Sequence, residues 1–145
     1  MLKTINESWG WVGFTATNLI DSNDFGNVLF LSESGEYWRI CPEELSCEIV
    51  AKNSLDFDKL LQDADFQIDW FMENAVRDAI SKLGLLMENE KFYLIFPGVI
   101  GGTYASRNYG KLPFEQLIRL SGNLAYQIKD VSDGTKIKLK IVGGK

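Results

Sequence analysis

The sequence predicts an α+β fold in a single domain: a mostly antiparallel sheet with at least one hairpin, packed against about three helices. Three observations carry that expectation. Strand-sized apolar runs come first, helical periodicity follows, and strict alternation returns at the end, which is not the order of regular βαβ units. With 145 residues, 46% of them hydrophobic, the chain is long enough to bury one real core, and eighteen aromatics (nine Phe, five Tyr, four Trp) supply large rigid fillers for it. No repeat, low-complexity tract or Pro/Ser-rich linker divides residues 1–145.

Along the chain, Gly10–Phe14 is a glycine-punctuated aromatic start, irregular or a short strand. Phe25-Gly26-Asn27 reads as a turn feeding a strand at Val28–Leu31. The turn formers Ser32-Glu33-Ser34-Gly35 then lead to the alternating, aromatic run Glu36–Ile40, and the pair predicts a β-hairpin. Pro42 ends that strand, because proline cannot donate to a ladder, and Cys47–Ala51 supplies the next one. Ser54 or Asp56 can cap a short helix through Leu61. A longer helix is expected from Asp65 to Leu83, with Gly84 as its stop. Its apolar positions from Ile68 and Phe71 through Met72, Ala75, Val76, Ala79 and Ile80 to Leu83 follow the i, i+3, i+4 rule and predict one buried stripe. Lys91–Phe96 reads as a strand closed by Pro97-Gly98. Pro113 opens a last helix through Ile128, which Ser121-Gly122 could kink. After the turn Ser132–Thr135, Ile137, Leu139 and Ile141 alternate with Lys136, Lys138 and Lys140, as in a half-buried strand.

Charge is divided unevenly. Residues 1–80 hold fifteen acids against five bases, a net of −10, whereas residues 81–145 hold five acids against ten bases, a net of +5. The acidic half should repel nucleic acid and anionic membrane and attract a basic surface. There is no histidine, so the usual acid–base group near neutral pH is missing. Apolar runs such as Tyr93–Phe96 fall far short of the roughly 18 residues a membrane span needs. The first residues mix charge and polarity too early for a secretory segment, so a cytoplasmic location is expected.

The ligand-like and catalytic motifs are each outweighed by a plainer reading. The loop Pro97-Gly98-Val99-Ile100-Gly101-Gly102-Thr103-Tyr104 could let a phosphate approach its backbone, but no P-loop or dinucleotide fingerprint surrounds it. Asp63, Asp65 and Asp69 do not follow a calcium-loop pattern, and Asp21, Asn23 and Asp24 match ligand spacing only loosely. Glu43-Glu44 are sequence neighbours that rarely face one another. Cys41 and Cys47 are too few for zinc and read as buried free thiols. No serine sits in a nucleophile-elbow setting. The lysines near the C-terminus lack the interleaved aromatics of a nucleic-acid surface and read as a soluble sheet face. Neither an enzyme nor a cofactor is therefore expected. The sharper feature is Trp70, which at about 100° per residue points away from the Ile68/Phe71/Ala75 stripe. Asp63, Asp65, Asp69 and Glu73 surround it in sequence, like an interface anchor with a charged rim. The plainer alternative is that Trp70 packs under another element of its own domain.

Read together, five stretches resemble one bacterial family: Phe25-Gly26-Asn27-Val28; Gly35-Glu36-Tyr37-Trp38-Arg39-Ile40-Cys41-Pro42-Glu43-Glu44-Leu45; Pro97-Gly98-Val99-Ile100-Gly101-Gly102-Thr103-Tyr104; Ser121-Gly122-Asn123-Leu124-Ala125-Tyr126-Gln127-Ile128-Lys129-Asp130; and Asp133-Gly134-Thr135-Lys136. The family is that of the immunity proteins of type VI secretion DNase effectors, in their C-terminal domain, and the resemblance runs from about Trp11 to Val142. It implies a cytosolic α+β protein that neutralises a toxin by binding it, without chemistry of its own. The residues agree: a DNase binds phosphate with a basic groove, and an inhibitor presenting carboxylates to that groove gains steering and a fast on-rate. The expected partner is a basic toxin or nuclease, met by Asp63, Asp65, Asp69 and Glu73 around Trp70. The rival readings are a regulatory or adaptor scaffold of the same fold, and a small-ligand or nucleotide binder using the Pro97–Tyr104 loop.

Overall fold

The predicted hairpin forms the centre of a four-stranded antiparallel sheet in a computed structural model that describes residues 1–130. Its strands are β1 (Ala16–Ser22), β2 (Val28–Ser32), β3 (Tyr37–Cys41) and β4 (Ser46–Ala51), in that spatial order. Val28 pairs with Ile40 and Phe30 with Trp38, so these four side chains share one face, and Leu29 and Arg39 share the other. β2 is apolar on both faces because both are covered. Helices α1 (Leu2–Trp9) and α5 (Phe114–Ile128) close the first face around Ile5, Trp9, Phe30, Trp38 and Ile118. Helices α2 (Ser54–Gln62) and α3 (Ala64–Phe71) close the second around Leu29, Ala51, Phe57 and Trp70. Beyond the sheet, α4 (Glu73–Leu83) packs on a two-stranded hairpin of β5 (Glu90–Leu94) and β6 (Tyr109–Pro113), about a cluster of Phe25, Ala79, Phe92, Leu94 and Tyr109.

The α+β class and the antiparallel hairpins hold, and several details differ. There are five α-helices among the described residues. α1 occupies the start of the chain, and Gly10–Val12 is a 3₁₀ turn. The helix expected from Asp65 to Leu83 is two helices, parted at Met72, whose φ of +48° lies in the left-handed region. Helix α4 does stop at Gly84, at φ +80°. α2 is capped by Asn53, whose Oδ1 accepts from the Asp56 amide at 2.9 Å, and not by Ser54 or Asp56. Pro113 ends β6 and precedes α5. The lysine-bearing strand expected around Ile137 lies outside the described residues. No helix among the described residues is long and apolar enough to cross a membrane.

Ser121-Gly122 neither kinks nor splits α5, which runs unbroken from Phe114 to Ile128. Gly122 is there because α1 passes against it: a Cβ would sit 2.4 Å from the backbone oxygen of Ser8. Two effects compete at this position. Alanine is the better helix former by about 1 kcal/mol. Overpacking a tight contact costs about 1–3 kcal/mol, and a backbone oxygen cannot turn aside as a side chain does. Packing should win. Gly122→Ala is therefore expected to lower the melting temperature; a variant melting at or above the wild-type temperature would show that α1 lifts away freely.

Candidate functional site

The acids singled out in the sequence fall on or beside α3, and the local geometry gives them different duties. Asp63 ends α2 and caps α3, its Oδ2 accepting from the Phe66 amide at 3.0 Å. Asp65 is exposed in the first turn of α3, where the helix dipole favours a carboxylate, and Glu73 occupies the same place in α4. Asp69, one turn beyond Asp65, is exposed yet ion-paired with Nη1 of Arg39, which comes up from β3.

Trp70 is not an exposed anchor: it is 4% exposed and packs with Leu29, Ala51 and Phe57 beneath the sheet. The angular argument correctly set Trp70 opposite Ile68 and Phe71, but the covered side is the reverse of the one expected. The sheet covers Phe66 and Trp70, leaving Ile68 73% and Phe71 59% exposed. The expected single stripe is thus buried only along α4, from Met72 to Leu83.

Arg39 ties this helix to the interior. Its guanidinium lies 5.2 Å from the Trp70 ring centre and 5.9 Å from that of Phe66. Its Nε donates to Asn27 Oδ1 at 3.0 Å, and Asn27 Nδ2 donates to both oxygens of Glu43 at 2.8 and 3.1 Å. Glu43 and Asn27 are buried, and burial pushes the Glu43 carboxyl above its ordinary range despite the Asn27, Cys41 and Arg39 groups that favour its charge. Glu43 and Glu44 do not form a carboxylate pair. Glu44 turns away to accept from the Tyr104 hydroxyl at 3.3 Å and lies against Gly98. Cys41 and Cys47 are free and half-buried, and burial raises both thiols, Cys47 to about 12.

The glycine loop is built for itself. The amides of Ile100, Gly101 and Gly102 donate to the carbonyls of Pro97, Gly98 and Pro97 at 3.2, 3.0 and 2.9 Å, so they are not free to receive a phosphate. A Cβ on Gly102 would lie 1.6 Å from the Phe96 oxygen. Buried Asn108 fastens the loop ends, accepting from the Phe96 amide and donating to the Phe96 and Thr103 carbonyls. Likewise Asn23, read as a loose metal ligand, is a structural residue. Its Oδ1 accepts from the amides of Phe25 and Asn27, and its Nδ2 donates to the Trp70 carbonyl at 2.8 Å.

What the fold brings together is a groove of about 730 Å³ along α3 and α4. Ile68, Phe71 and Met72 line it, Tyr104 forms a wall, and Asp69 and Glu73 stand at it. Asp63, Asp65 and Trp70 do not line it. Ile68 and Phe71 were legible as apolar positions but assigned to the interior; Tyr104 has no local signal linking it to α3. The arrangement holds carboxylates beside exposed apolar surface. No curated protein matches the chain. A family model does, that of the T6SS immunity protein Tdi1, C-terminal, over residues 51–125. That span is just over half of the chain, shorter than the resemblance drawn from Trp11 to Val142, and runs from the end of β4 into α5, so it contains the groove-forming helices. This chain belongs to the family of the C-terminal domain of the type VI secretion immunity protein Tdi1.

Proposed function

We propose that this protein neutralises a DNase-type effector of type VI secretion by non-covalent binding in the cytoplasm, presenting the acidic face of α2–α4 to the basic, phosphate-binding surface of the toxin. The observation that carries the reading is the exposed run of carboxylates Asp56, Asp58, Asp65, Asp69 and Glu73 on three successive helices of an immunity-family chain whose first 80 residues bear a net charge of −10. A nuclease groove that attracts DNA attracts such a face for the same reason, and occupation of the groove excludes DNA. The protein supplies charge and shape; no bond is made or broken.

Asp65→Lys combined with Glu73→Lys should lower the association rate constant for the inactivated nuclease domain of the DNase-type effector it is proposed to neutralise by about tenfold at low salt, and flatten its salt dependence. Stopped-flow association over a salt series measures both. An unaltered rate and slope in a folded double variant would move the interface elsewhere.

A further inference from the structure

From Ile68 to Leu83 the chain carries one uninterrupted helical pattern, yet the fold breaks it at Met72. A left-handed conformation is strained for any residue that carries a side chain, because its Cβ crowds the following carbonyl oxygen. The Asn23 amide lies against the break, its Nδ2 2.8 Å from the Trp70 carbonyl and 3.7 Å from the Met72 sulfur. On the α4 side of the elbow the stripe is covered, by Phe25, Phe92 and Tyr109 among others. On the α3 side Ile68 and Phe71 are left to solvent, and both face the groove that Tyr104 walls. Backbone strain that keeps two large apolar side chains exposed side by side is poor economy for folding alone, and such strain concentrates at functional sites.

We propose that this groove is the anchor point of the toxin interface. It seats a large apolar side chain (leucine, methionine or phenylalanine) carried on a segment of the toxin whose neighbouring residues are lysine or arginine. The inference rests on the immunity reading above and adds the residues that hold the complex together. Charge complementarity chooses the occupant: Asp69 and Glu73 stand beside the apolar lining, so an apolar segment flanked by acids is repelled and one flanked by bases is satisfied on both counts. Arg39 already pairs with Asp69, so Asp69 meets the incoming base as a fixed, partly neutralised carboxylate, and Glu73 is the freer of the two. An anchor ringed by polar groups that exclude water is the usual construction of a binding hot spot.

The two parts of the surface should separate kinetically. Long-range charge acts on encounter, and the buried anchor acts on escape. Ile68→Ser and Phe71→Ser, both at exposed positions, are therefore expected to speed dissociation of the inactivated effector nuclease by about 30-fold or more while association stays near wild type. Tyr126→Ser is the control, because Tyr126 is an exposed aromatic on α5, across the sheet from α3. Should Phe71→Ser fail to fold, Ile68→Ser alone decides. Rapid dissociation in the groove variants with a wild-type rate in the control supports the proposal. Wild-type dissociation in all three overturns it and leaves the immunity reading intact. If the unaltered protein does not bind the nuclease, the immunity reading falls and this proposal falls with it.

Discussion

Alanine at position 70 is expected to cost about 3–5 kcal/mol of folding stability, the usual range for a buried tryptophan cut back to its Cβ. The indole fills the space between α3 and the sheet, in one core cluster with Leu29, Ala51 and Phe57, with the Phe66 ring stacked 6.0 Å away. It also lies under the Arg39 guanidinium, so its loss uncovers one face of a cation held in the interior. Domains of this size are stable by only about 5–15 kcal/mol, so the variant should sit close to unfolding. Urea unfolding checks this, with Ile68→Ala beside it: that exposed position should change stability by less than about 0.5 kcal/mol. Any loss of toxin binding in Trp70→Ala should then follow the folded fraction. A Trp70→Ala protein that unfolds at the wild-type midpoint but no longer binds would return Trp70 to the surface as an anchor.

The inversion at Trp70 shows what periodicity could and could not decide. Spacing fixes the angle between Trp70 and the Ile68/Phe71 stripe, and that angle is right. Which side meets the sheet depends on β2 and β3, whose Leu29 and Arg39 wait on the α3 face; no window of residues around Trp70 contains that information. The break at Met72 is hidden for a similar reason. Neither glycine nor proline marks it, and the bond from the Asn23 amide comes from 47 residues away.

Other elements were legible in proportion to how local their causes are. The central hairpin follows from alternation and a run of turn formers, and α5 from its periodic leucines and isoleucines. The short α1 carried a readable signal in Leu2, Ile5 and Trp9 at spacings of three and four, although the expected start of structure was Gly10. β1 gave none: it is an exposed edge strand containing Asn18 and Asp21, broken by two register shifts. β6 contains glycine and proline, and it holds because Gly110 lies opposite Tyr93, whose ring covers the missing side chain. At the candidate site the acids were readable as charge, while their division into a cap, an ion pair and free carboxylates required the fold.

The Asn27→Ala variant should lose about 3–5 kcal/mol of stability, because one amide joins the buried Glu43 carboxyl to the partly buried Arg39 guanidinium, and hydrogen bonds to charged groups contribute about 1.5–3 kcal/mol each. Removing it takes one donor from both Glu43 oxygens and the acceptor from the Nε of Arg39. The loss should also depend on pH, with a definite sign. Burial raises the Glu43 carboxyl above its ordinary 4.5, so the folded state binds this proton more tightly than the unfolded chain. Stability from this group is therefore greatest below 4.5 and falls as pH rises from there through the folded-state value. The Asn27 amide works against that shift, and deleting it drives the carboxyl higher still, widening the window. The deficit of Asn27→Ala relative to wild type should thus be smaller at pH 5 than at pH 8 by urea unfolding. Adding Glu43→Gln to both proteins should remove most of that difference, since glutamine has no charge to desolvate. A deficit equal at both pH values would mean that Asn27 holds the sheet to α3 through Arg39 and leaves Glu43 to its other partners.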